Sequence, residues 1–105
     1  MRVYFESSGG LAGMYRSATI DTDSGNPEDE IKLRDLITDS DFFNLPSESP
    51  RPKPGSADYL HYKITVESEG LSHTVSTNDT TLQPRLFPLI SFLQSKAKIG
   101  RHPSK

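Results

Sequence analysis

Val3 and Phe5 alternate with Arg2, Tyr4 and Glu6, the period-two pattern of a strand with one buried face. After SSGGLAG, residues 7–13, a second run puts Met14, Ala18 and Ile20 on one face and Tyr15, Ser17, Thr19 and Asp21 on the other; Arg16 interrupts the apolar side. The two runs predict an antiparallel hairpin with a long, glycine-rich loop. Further on, Leu60, Tyr62, Ile64 and Val66 alternate, Glu69-Gly70 offers a tight turn, and Leu71, His73 and Val75 alternate again. A two-residue turn there sets the register, with Val66 facing His73 and Ile64 facing Val75.

Between and after these hairpins the period becomes helical. In DTDSGNPEDE, Asn26 can cap free amides, Pro27 suits the first helical position, and Glu28, Asp29 and Glu30 sit at the positive end of the helix dipole. Leu33, Leu36, Ile37 and Ser40 continue as an i, i+3, i+4, i+7 stripe, which Phe42, Phe43 and Leu45 are expected to close onto the sheet. Leu86, Leu89, Ile90, Leu93 and Ala97 form a second stripe, with Pro84 and Pro88 in its opening turns. PSESPRPKPGS, residues 46–56, holds four of the eight prolines and reads as an exposed, polyproline-type connection.

The predicted order is ββαββα. Two amphipathic helices need one apolar sheet face, so the fold class is α+β: a four-stranded antiparallel sheet of two hairpins, with both helices packed on one face. Phe5, Ile20, Leu36, Phe42, Ile64, Val75, Leu89 and Leu93 form the expected core. One domain over residues 1–98 and a flexible tail over 99–105, fraying from Ile99, complete the expectation.

Composition narrows the functional classes. With 105 residues and 32% hydrophobic residues the chain can build one modest core. There is no cysteine, which removes disulfides, thiolate metal sites and a cysteine nucleophile. Residues 21–48 hold nine acids against Lys32 and Arg34, whereas 96–105 hold Lys96, Lys98, Arg101 and Lys105 with no acid. An isoelectric point near 5.9 and the lack of interleaved Lys and Arg argue against a nucleic-acid partner. No apolar run approaches the ~20 residues that span a bilayer, and the chain begins on a strand-like MRVYFE. These features predict a monomeric, cytoplasmic protein of bacterial type.

Candidate chemistry fails residue by residue. SSGGLAG lacks the lysine of a phosphate-binding loop and leads into a strand where a helix N-terminus would be needed. DTDSGNPEDEIK resembles a calcium loop at Asp21 and Asp23, but Asn26 stands where glycine belongs and Lys32 where a bidentate glutamate belongs. His61 falls on the polar face of its strand, His73 on the apolar face of the next, and His102 in the tail, so they cannot share a metal. No cofactor and no metal is expected, and no catalytic residue stands out. The chain reads as a binding protein and not as an enzyme.

Four blocks, VYFESSGGLAGM, LRDLITDSDFFNLP, DYLHYKITVESEGLSHTV and LQPRLFPLISFL, together resemble the emfourin family, small bacterial inhibitors of protealysin and other thermolysin-like zinc metalloproteases. The resemblance implies a cytoplasmic inhibitor that binds the folded protease and blocks its substrate cleft. The shared SGGxxG loop corresponds to Ser8, Gly9, Gly10 and Gly13. Physical reasoning extends the expected contact to Glu6, Ser7, Ser8, Gly9, Gly10, Leu11, Gly13 and Met14. Glycines let backbone approach closely, Leu11 or Met14 can fill an apolar pocket, and Glu6 or the serine oxygens can approach the metal. The alternative is a non-enzymatic interaction module using the proline-rich loop 46–57.

Overall fold

The computed structural model describes residues 1–9, 14–22, 25, 27–47, 60–78 and 83–100. Five strands and two helices follow in the order β1 (Arg2–Gly9), β2 (Met14–Asp21), α1 (Pro27–Ser40), β3 (Leu60–Ser68), β4 (Leu71–Asn78), α2 (Phe87–Lys96) and β5 (Lys98–Gly100). All strand pairs are antiparallel, and the sheet order is β4-β3-β1-β2-β5. The four antiparallel strands β2-β1-β3-β4, the two helices and their order are as the alternation predicts; the short β5 is a fifth strand at the β2 edge.

The second hairpin carries the predicted register: Val66 lies opposite His73 and Ile64 opposite Val75. Its turn places Glu69 at φ 52° and Gly70 at φ 80°, the double positive φ of a type I′ turn that matches the right-handed twist of the strands. Gly70 meets this requirement without strain, but Glu69 has a side chain in left-handed space. Glu69→Asn is therefore expected to stabilise the fold by about 0.5–1 kcal/mol, because asparagine tolerates that conformation. An unchanged or lowered melting temperature would contradict this account of the turn.

Helix α1 begins at Pro27, with Glu28, Asp29 and Glu30 in its first turn; Asn26 lies outside the described residues. Asp41 ends it in left-handed conformation, φ 55°, and a short 3-10 turn at Phe42–Asn44 follows, its Asn44 Nδ2 donating to Asp41 Oδ1 at 2.8 Å. This reversal drops Phe42 and Leu45 into the core and leaves Phe43 partly exposed. A 3-10 turn at Pro84–Leu86 leads directly into α2, with Pro88 in the first helical turn, where no intrahelical donor is lost. The Lys96 ammonium, 3.1 Å from Asp29, ties the end of α2 to the start of α1.

Both helices cover one face of the sheet. Val3, Phe5, Ile64, Val66 and Val75 from the strands are buried with Leu33 and Ile37 of α1, Leu89, Ile90 and Leu93 of α2, and Phe42, Leu45 and Leu86 from the turns. Six of the eight expected core residues are buried there; Ile20 and Leu36 are only half-buried and pack against the cluster. The centre of the α1 stripe is Leu33, fully buried, with Ile37 and Ser40 in line. Leu36 lies on its flank.

Two further differences matter for the site. The expected long loop is short, because β1 continues through Ser7, Ser8 and Gly9 and only residues 10–13 separate it from β2. Fraying from Ile99 is also not what is found: Ile99 pairs with Arg16 and Gly100 with Tyr15. The outer edge of β2 presents unpaired backbone groups, and three residues after α2 suffice to occupy part of it. Residues 101–105 lie outside the described residues.

Candidate functional site

Strand direction collects several chain ends at one end of the sheet. Gly9 lies opposite both Met14 and Leu60, His61 opposite Asn78, and Tyr15 opposite Gly100. Gly9, Met14, Leu60, Asn78 and Gly100 therefore all lie at this end. Ser47 joins the same neighbourhood, its carbonyl accepting the Ser76 amide of β4 at 2.7 Å before the chain enters the proline-rich segment that returns at Leu60. Gly9, Met14, Ser47 and Leu60 thus lie at one end of the sheet, a consequence of strand order that no local sequence pattern states.

Alternation along β1 then sorts the candidate residues. Glu6 and Ser8 lie on the open face away from the helices, opposite Lys63 and His61 of β3. Together with Ser76 they line a shallow depression of about 250 Å³ beside the glycine hairpin. Ser7 lies on the helix-covered face and is only 3% exposed. Gly9 has φ 109°, a conformation that side chains rarely adopt, and so needs its glycine. The backbone of Met14 closes the hairpin opposite it, and Gly10, Leu11 and Gly13 lie outside the described residues.

The neighbours of β1 limit how this region can be used. β1 is paired along both edges, with β2 from Arg2 to Gly9 and with β3 over the same residues. The backbone of Glu6–Gly9 is therefore not a free edge for an incoming peptide. What it offers to the open face is the side chains of Glu6 and Ser8. Sequence reasoning missed Lys63 and His61 as neighbours of these two, because β1 pairs with a strand some fifty residues away; only the β1–β3 register reveals it.

His61 and His73 lie on opposite faces of the sheet, as expected. The His73 Nε2–H donates to the Leu45 carbonyl at 2.8 Å, and its ring meets Phe42 edge-to-face at 5.6 Å between centroids. His61 is exposed on the other face, and His102 lies outside the described residues. Among the described residues no group of three or more His, Asp or Glu side chains could hold a metal ion. Ion pairs at the surface include Arg2–Asp21 (3.3 Å), Arg34–Glu30 (3.0 Å), Arg85–Asp41 (3.8 Å) and Lys96–Asp29. Hydrogen bonds to Tyr4 and then to Asp21 raise the Arg2 guanidinium above its ordinary pKa. No helix among the described residues is long and apolar enough to cross a membrane.

Fold and site together define a small α+β domain, an antiparallel sheet covered on one face by two helices. Residues 5–94 match the model of the Emfourin family, and the chain belongs to that family. Comparison with curated proteins and with solved structures finds no match. Membership supports a role as a metalloprotease inhibitor.

Proposed function

We propose that the protein inhibits a thermolysin-like zinc metalloprotease of the protealysin type, binding the folded enzyme as a monomer and blocking its substrate cleft. The observation that carries this reading is the family match over residues 5–94. The glycine hairpin supports a mode of contact. With the backbone of Glu6–Gly9 already bonded on both sides, residues 10–13 enter the cleft as a tip, flanked on the open face by Glu6 and Ser8. A thermolysin-like cleft seats a large apolar side chain beside its zinc, a place for Leu11 or Met14. The chain itself performs no catalysis and needs no cofactor.

Titration of the purified protein against a thermolysin-like protease, with peptide hydrolysis as readout, tests the reading directly. Activity should fall to near zero with saturating protein. Full activity at a large excess would overturn it. A second reading, an interaction module that uses the proline-rich segment, is favoured by the Ser47–Ser76 bond that leads this segment to the same end of the sheet. It predicts that a peptide carrying PRPKPG captures the partner by itself, whereas the inhibitor reading predicts that it does not compete.

A further inference from the structure

Arg16 departs from every other described arginine. Arg2, Arg34 and Arg85 are exposed, and each has a carboxylate within 4 Å. Arg16 is half-buried and, among the described residues, forms no ion pair and no side-chain hydrogen bond. The chain has 14 acids for its 12 lysines and arginines, so the missing partner does not reflect a shortage of carboxylates. A guanidinium keeps its charge throughout the physiological pH range, and partial burial strips water from it without an anion to replace that water.

Its position is equally specific. Arg16 interrupts the apolar face of β2 two residues after Met14, at the glycine-hairpin end, with Ser7 of β1 on one side and Ile99 of β5 on the other. Ser7 is 3% exposed, and its hydroxyl likewise makes no hydrogen bond among the described residues. Two adjacent polar groups, one charged and one neutral, thus stand without partners beside the tip that enters the protease. Buried polar groups are rarely left so.

We propose that Arg16 anchors a carboxylate side chain of the target protease, the planar guanidinium donating to both carboxylate oxygens in two-point fashion. The proposal rests on the inhibitor reading and assigns a contact on the helix-covered side of the hairpin, opposite the face that carries Glu6 and Ser8.

Arg16→Gln, Arg16→Lys and Arg16→Glu, each with a melting temperature matched to wild type, are titrated against a thermolysin-like protease at low and high salt. Arg16→Gln should weaken inhibition roughly tenfold or more, the scale of an interfacial hot spot. Arg16→Lys should recover part of the loss, since it keeps the charge but not the fork, and Arg16→Glu should fall below Arg16→Gln. Raising the salt should weaken wild type more than Arg16→Gln. A folded Arg16→Gln that inhibits like wild type, or Lys and Gln variants with equal losses and unchanged salt dependence, overturns the assignment while leaving the inhibitor reading intact. Failure of wild type to inhibit overturns both.

Discussion

Leu33→Ala is expected to destabilise the fold by roughly 2–5 kcal/mol, the range for emptying a fully packed leucine site. Leu33 has no exposed surface and belongs to the same buried cluster as Phe5, Ile64 and Leu89. Against a typical total of about 5–15 kcal/mol, such a loss moves the denaturant midpoint far enough to measure easily. Leu36→Ala should cost distinctly less, because Leu36 is half-buried and solvent already reaches part of its side chain. Equal midpoints for the two variants would mean that the burial of α1 is misassigned. Leu93→Ala, at the fully buried centre of α2, should behave like Leu33→Ala.

Gly10→Asp and Leu11→Ala form the second large expectation. If residues 10–13 are the tip that meets the protease, loss of a hot-spot contact of ~2 kcal/mol weakens inhibition roughly thirtyfold. Circular dichroism and melting temperature must first match wild type. The flanking β1–β2 pairs, Gly9 with Met14 and Ser8 with Tyr15, make a fold-neutral result reasonable for substitutions beyond them. Folded variants of both kinds that inhibit as tightly as wild type would place the binding surface elsewhere. Arg16 and the open-face residues Glu6 and Ser8 then distinguish the two sides of the hairpin.

Local chemistry made most of this fold legible. Glu69-Gly70 sets a register because a two-residue turn leaves no slack, and Val66 opposite His73 follows directly. Pro27 and the three acids after it mark the start of α1 for equally local reasons. What was hidden is non-local. The stripe Leu33, Leu36, Ile37 and Ser40 identifies a helix face, but only the packed sheet decides that Leu33 is its centre and Leu36 its margin. Likewise Ile20 alternates correctly, yet it lies on β2, near the side of the sheet, and stays half-buried.

The candidate site was legible in part. Its glycines and flanking serines are visible in the sequence, and alternation alone could have separated Ser7 from Glu6 and Ser8 once β1 was extended through Gly9. The position of β1 between β2 and β3 was not readable, since nothing in either hairpin states which strands become neighbours. Strand β5 was missed for a related reason: Lys98, Ile99 and Gly100 carry no alternation long enough to register, and they form a strand because β2 has an edge to accept them. Arg16, a mere interruption of pattern in the sequence, gains meaning only when its neighbours and its lack of a counter-ion are known.

Pairing along both sides of β1 also governs what happens if the target cuts its own inhibitor. A single cleavage within residues 10–13 would leave β1 aligned with β2 through eight residue pairs and with β3 through eight more. The two pieces would remain one folded body, with the new ends held at the hairpin and unable to diffuse apart, so the nicked form would still occupy the enzyme. Denaturing electrophoresis would then show two bands where gel filtration shows one species, and the products of proteolysis would not free the protease.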